Sequence, residues 1–219
     1  MNPKAYLLSI ESSTIKLGLG QTIKLMRACG NPQNHLRVIQ IAGTNGKGST
    51  AAMMAKILEC AGYKVGLSTS PHLVEVNERI RINGEPIVDT CIEEFIELYK
   101  PYIEDITASF FESVTAMAFW YFKKNNVDIA IMETGLGGRL DSVTICNPIL
   151  TIITPISLDH TEILGNSIEK ISFEKAGIMK PGIPCITAEQ TEDAYSVLQK
   201  EADNQNCELI LADKNLLHD

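Results

Sequence analysis

Ile39-Gln40-Ile41-Ala42-Gly43-Thr44-Asn45-Gly46-Lys47-Gly48-Ser49-Thr50 is an apolar strand running into three glycines, one lysine and adjacent hydroxyls. The glycines let backbone N–H groups curl toward one point without Cβ clashes, Lys47 adds positive charge, and Ser49 or Thr50 offers an oxygen to Mg²⁺. A helix from Ser49 onward aims its positive dipole end at the same anion. The general phosphate-loop pattern G-x-x-x-x-G-K-[ST] fits badly, because its first glycine falls on Ile41 and its hydroxyl on Gly48. The bland reading of this stretch is a glycine-rich turn with an exposed lysine. The strand before it and the helix after it favour a polyphosphate cradle built from Gly43, Thr44, Asn45, Gly46, Lys47, Gly48, Ser49 and Thr50.

Working outward, apolar runs of strand length recur at 38–42, 65–69, 127–132, 149–154, 184–187 and 209–211. Helical patterns separate them near 19–28, 50–61, 91–100, 112–124, 167–176 and 191–203. The alternation predicts an α/β fold, a doubly wound and largely parallel sheet with flanking helices, in which ligands sit beyond the carboxyl ends of the strands. Trp120, Tyr121 and Phe122 are expected to pack against that sheet.

At 219 residues, with 45% hydrophobic and 21% charged residues, the chain reads as an ordinary globular domain. Its net charge of −8 opposes a nucleic-acid partner, so an anionic ligand must be met by local dipoles, lysines and metal. Six cysteines spread without a C-x-x-C pair fit neither a zinc site nor a disulfide framework. With no apolar run of spanning length and no signal-peptide layout, a cytoplasmic monomer without a membrane partner is expected.

Polar clusters follow the strands. Glu133 closes one strand at a glycine-rich turn, where its carboxylate either serves a hard cation or faces water. Asp159 and His160 follow another strand, and His72 lies beside Pro71 in a loop; His35 and His218 have no supporting neighbours. Lys175, at a helix C-terminus, reads by position alone as a surface partner of the helix dipole. Arg79 and Arg81 alternate with isoleucines and read as a solvated strand edge.

Taken together, 43–49 (GTNGKGS), 69–73 (TSPHL), 77–80 (NERI), 135–141 (GLGGRLD), 158–161 (LDHT) and 174–182 (EKAGIMKPG), with 15–19 (IKLGL), resemble folylpolyglutamate synthase and its bifunctional dihydrofolate synthase form, within the Mur ligase-like superfamily. The resemblance runs the length of the chain and implies the N-terminal, ATP-binding part of that architecture, with the C-terminal glutamate-binding domain absent. It implies an ATP- and Mg²⁺-dependent ligase that adds L-glutamate to a folate or dihydropteroate carboxylate through an acyl phosphate, with two Mg²⁺ sites.

By position, the resemblance implies that Gly46, Lys47, Gly48 and Ser49 bind ATP phosphates. It implies that Ser70, Glu133 and His160 hold Mg²⁺, and that Lys175 is carbamylated and joins them, reversing the surface reading. Lys47, His160 and Lys175 then form the catalytic group, and the pterin substrate falls to Lys16, Leu17, Gly18, Ser109, Phe110, Phe111, Glu112, Leu140, Asp141 and Ser142. Two departures bear on that substrate: Ser109 stands where threonine is common, and Ser142-Val143-Thr144 where alanine-threonine-asparagine is frequent. The competing readings are another phosphate-loop ATPase or kinase, or a non-catalytic nucleotide or folate binder.

Overall fold

The structure, a computed structural model, describes residues 3–10 and 18–212. Helices α1 (Pro3–Ser9) and α2 (Gly20–Ala28) precede strand β1 (Val38–Ala42), helix α3 (Lys47–Cys60) and strand β2 (Val65–Ser68). Strands β3 (Ile80–Ile82) and β4 (Glu85–Pro86) follow, then α4 (Asp89–Asp105), α5 (Phe110–Lys124) and β5 (Ile129–Glu133). The chain continues with β6 (Pro148–Ile153), α6 (Thr161–Leu164), α7 (Ile168–Ala176), β7 (Cys185–Thr187), α8 (Glu192–Asn204) and β8 (Leu209–Leu211).

The strands form one sheet in the order β4-β3-β2-β5-β1-β6-β7-β8, parallel from β2 through β8 and antiparallel at β3 and β4. The expected α/β, doubly wound architecture is therefore present, with each expected strand displaced by at most two residues at an end. The strand edge read around Arg79 and Arg81 is β3, beside β2; its hairpin partner β4 was not expected, nor were α1 and α6. The hairpin turns at Asn83-Gly84, both at positive φ, a pair suited to a tight two-residue connection.

Period-two alternation sorts the buried strands onto two faces. Ile39 and Ile41 of β1, Val65 and Leu67 of β2 and Ile129 and Ile131 of β5 pack with Ala51 of α3. Val38, Ala130 and Met132 face the other way, onto α4 and α5, where Phe95, Phe119, Trp120 and Phe122 fill the layer. A separate cluster holds Ile153 of β6 with Ile171 and Ala176 of α7 and Leu198 of α8. Burial on both faces explains why β1 and β5 read as unbroken apolar runs.

Central β1 lies between β5 and β6, in the registers Ile41↔Glu133 and Ala42↔Ile153. The loops leaving these three strands therefore emerge side by side. The backbone stitches them: Thr134 N–H donates to Ile41 O at 2.9 Å and Thr154 N–H to Ala42 O at 2.9 Å. A doubly wound sheet builds its ligand crevice at such a place.

Candidate active site

The glycine-rich loop leaves β1 at Gly43, whose φ of +143° suits glycine; a Cβ there would lie 1.9 Å from Thr154 Oγ1. The loop docks on the segment after β6 through Thr44 and Asn45, whose N–H groups both donate to Pro155 O. Thr44 Oγ1 also donates to Ser157 O and accepts from Ser157 N–H, each at 3.1 Å. Gly46, at φ +86°, is the N-cap of α3, so Lys47, Gly48 and Ser49 open its first turn with N–H groups that lack a helical acceptor, while Thr50 N–H closes the turn on Gly46 O at 2.9 Å.

Two lysines converge on one carbonyl. Lys47 Nζ donates to Gly43 O and Thr44 O at 3.2 Å each, and Lys175 Nζ donates to the same Gly43 O at 2.7 Å. The surface reading of Lys175 is wrong, since the residue is only 3% exposed. The reason is close packing between the end of α7 and the turn after β5. Gly138 approaches so near that a Cβ would sit 2.8 Å from Glu174 O and Lys175 O, and one on Gly177 would sit 2.4 Å from Arg139 Cα. Burial, reinforced by the charge of Lys47, lowers the Lys175 ammonium from 10.5 to about 8.

Glu133, 5% exposed, ends β5 beside this pair. Its Oε2 accepts Ser70 N–H at 3.1 Å and lies 3.4 Å from where a Cβ on Gly48 would be. The generic loop sets a hydroxyl-bearing side chain at that position; here glycine leaves the helix N-terminus open to the carboxylate. Burial raises the Glu133 carboxyl, while Ser70 N–H, Lys47 and Arg79 pull it down.

Asp141, also 5% exposed, brackets the glycine-rich turn after β5. Its carboxylate accepts N–H groups from Gly135 at 2.9 Å, Leu136 at 3.0 Å and Val143 at 2.9 Å. Burial outweighs these donors and pushes its pKa up to about 6. His160 is exposed, at a left-handed φ of 47° as N-cap of α6, with Nε2 3.6 Å from Asp159 Oδ2.

Of the expected pterin contacts, Lys16 and Leu17 lie outside the described residues, as does His218, and Gly18 precedes α2 at φ +135°. The 109–112 and 140–142 segments are brought together. Ser109 caps α5 and forms a reciprocal box with Glu112, Phe111 packs over Gly135, and Leu140 is 39% exposed at the rim. Glu112 and Ser142 are joined by Thr22 of α2, at 3.3 and 3.0 Å.

Two groups escaped the sequence reading. Thr22 sits one helical turn beyond Gly18, and an isolated threonine in a helix carries no signal of its own. Arg79 is 7% exposed rather than on a solvated edge, because it ends a 3₁₀ turn (Val76–Arg79) before β3 instead of lying in the strand. Its guanidinium stands 5.1 Å above the Phe110 ring, and its Nε donates to His72 Nδ1 at 2.7 Å.

A model of the Mur ligase middle domain matches residues 41–217, which include the whole cradle, Glu133, His160 and Lys175. The chain belongs to the Mur ligase family. Within the family, it is 46% identical over 196 residues to the dihydrofolate synthase/folylpolyglutamate synthase of Bacillus subtilis, covering 86% of this chain and 46% of that protein. A solved FPGS–AMPPCP–folate complex superposes with a TM-score of 0.91 at 35% identity, over 98% of this chain and 55% of that one. E. coli FolC in complex with DHPP and ADP superposes with a TM-score of 0.89 at 36% identity, over 96% of this chain and 51% of that one. These likenesses bear out the resemblance to folylpolyglutamate synthases read from the motifs. The chain spans about half the length of the relatives it matches.

Proposed function

We propose that this chain is the ATP-binding part of a ligase that joins the amine of L-glutamate to the carboxylate of a folate or dihydropteroate. The observation that carries the proposal is the convergence of Lys47 and Lys175 on Gly43 O, with the buried Glu133 carboxylate at the same helix N-terminus. The Lys47 cation and a ring of N–H groups suit a polyphosphate, and Glu133 with Lys175 lies where its metal would be held. The AMPPCP and folate of one superposed relative, and the DHPP and ADP of another, support the same reading.

In this reading Lys47 leaves the loop carbonyls for the β- and γ-phosphates, and the loop N–H groups hold the phosphate oxygens in place. The substrate carboxylate attacks the γ-phosphorus and ADP leaves; the acyl phosphate is then attacked by the glutamate amine, which releases phosphate. Catalysis is mainly positioning and charge stabilisation, because a free carboxylate is a poor electrophile.

The donor set fits Mg²⁺ in part. Among the described residues no group of three or more His, Cys, Asp and Glu could hold a metal. Ser70 and Glu133 offer hard oxygen ligands, and His160 offers a nitrogen. Lys175 fits only as a carbamate, and its lowered pKa favours the neutral amine that would react with CO₂. Bound there, Mg²⁺ would neutralise phosphate charge.

The test is ADP release by the full-length protein with dihydropteroate or tetrahydrofolate, with and without glutamate. Release that requires both glutamate and a pterin acid is expected. Release that is indifferent to both would reduce the protein to a generic ATPase and overturn the proposal.

A further inference from the structure

The glycine-rich loop rests on four consecutive residues after β6. Gly43 lies against Thr154, whose Oγ1 a Cβ would meet at 1.9 Å, and Thr44 and Asn45 N–H donate to Pro155 O at 3.0 and 3.3 Å. Thr44 Oγ1 bonds both the N–H and the carbonyl of Ser157. The placement of 154–157 therefore sets the placement of the loop.

Sheet pairing stops short of holding that segment. Thr151 N–H donates to Pro184 O at 3.1 Å and Ala188 N–H to Ile153 O at 3.0 Å, so the odd-numbered residues of β6 face β7. The next donor on that edge is residue 155. It is proline, which has no N–H, and the ladder ends there.

A side chain continues where the backbone cannot. Gln190 Nε2 donates to Thr154 O at 3.2 Å, and its Oε1 accepts Ile156 N–H at 3.0 Å, so one amide serves the groups on both sides of Pro155. These partners leave one orientation of the amide, since the reverse would set oxygen against oxygen and N–H against N–H. Thr187 Oγ1 accepts from the same Nε2 at 3.1 Å and anchors the amide to β7.

We infer that Gln190 is a positioning residue for ATP binding: its amide extends the sheet past Pro155 and fixes the platform on which the phosphate loop rests. The inference rests on the reading of the loop as the ATP site proposed above, and assigns a role to a residue outside every motif that suggested that reading. The competing role for Gln190 is a general tie between β6 and β7.

The two roles separate on the full-length protein by calorimetric titration with ATP and by amide hydrogen exchange of the unliganded protein. Gln190→Met keeps the length and loses both bonds, and Gln190→Glu keeps the shape but turns an oxygen toward Thr154 O. Each is expected to weaken ATP binding about tenfold, the scale of one hydrogen bond. In Gln190→Met, exchange is expected to rise across 43–46 and stay unchanged across 38–42. Thr151→Val removes a hydroxyl bond to Pro184 O, a tie between the same strands at their other end, and is expected to leave ATP affinity at the wild-type value. An equal loss of affinity in Thr151→Val, or an equal rise of exchange across 38–42, would show a general tie and overturn the inference; so would Gln190 variants that bind ATP like the wild type. Wild-type protein that binds no ATP would overturn the reading of the loop and this inference with it.

Discussion

Lys47 carries the least replaceable charge in the site. It has few packing duties, being half-buried and bonded, among the described residues, to the loop carbonyls of Gly43 and Thr44. Lys47→Ala is expected to cut glutamate-dependent ADP release by about 100-fold or more, while circular dichroism shows an unchanged fold. The same substitution removes a neighbouring cation from Lys175 and so raises the pKa of that amine. The depressed Lys175 pKa also makes a statement about stability. Below pH 8 both folded and unfolded chains hold the proton. Between about 8 and 10.5 the folded chain has shed it and the unfolded chain has not, so stability rises with pH across that window. Denaturant titrations should show a gain on the order of 3 kcal/mol, and Lys175→Met should flatten it. Asp141 works differently. Asparagine there would turn an N–H toward N–H donors now facing both carboxylate oxygens. Asp141→Asn is expected to cost about 1–3 kcal/mol in urea unfolding, the desolvation penalty of an unmatched buried group.

At the scale of elements, the site depends on where helices begin and end. Helix α5 starts in a reciprocal box, Ser109 Oγ accepting Glu112 N–H and Glu112 accepting Ser109 N–H, and ends on Lys123 and Lys124. The same capping carboxylate also takes the Thr22 hydroxyl and so ties α2 to α5. Ser109→Ala should cost about 1 kcal/mol in the thermal melt through loss of the cap. Helix α7 must end against the turn after β5 for Lys175 to reach Gly43 O. Gly138→Ala would press a methyl into two backbone carbonyls, with a Cβ at 2.8 Å from each, and neither is a flexible neighbour. The α7 end would be displaced, and loss of ATP binding by titration is the expected outcome. The glycines in 135–138 were read from the sequence as part of a family motif. Their physical duty, close passage of one backbone past another, needed the α7 contact to be seen.

At the scale of the whole molecule, the strands that form the crevice are the best protected. Central β1 and β5 are buried along their full length, whereas β4 is exposed and β8 is a partly exposed edge strand. Amide hydrogen exchange followed by mass spectrometry should be slowest in β1 and β5 and fastest in β4 and β8. Rapid exchange in β1 would contradict the placement of the phosphate loop on a rigid strand. The eight-stranded order also explains how segments distant in the chain share one site: β5 and β6 flank β1, so residues 43–49, 133–141 and 154–160 leave the sheet as neighbours.

Local chemistry was legible in the sequence because it is written in consecutive residues. Alternating apolar runs and helical stretches located the six parallel strands, and the 43–49 loop announced an anion cradle, since glycine freedom and a lysine act within a few bonds of each other. The sequence also marked Glu133, His160 and Lys175, but by position alone it could not tell Lys175 from a solvated helix end. Only the tertiary structure decided that Lys175 is buried against Gly43, that Arg79 stacks on Phe110, and that Thr22 ties Glu112 to Ser142. Burial and hydrogen-bond polarity come from neighbours distant in the chain, and both arise only when the sheet and its helices close around them.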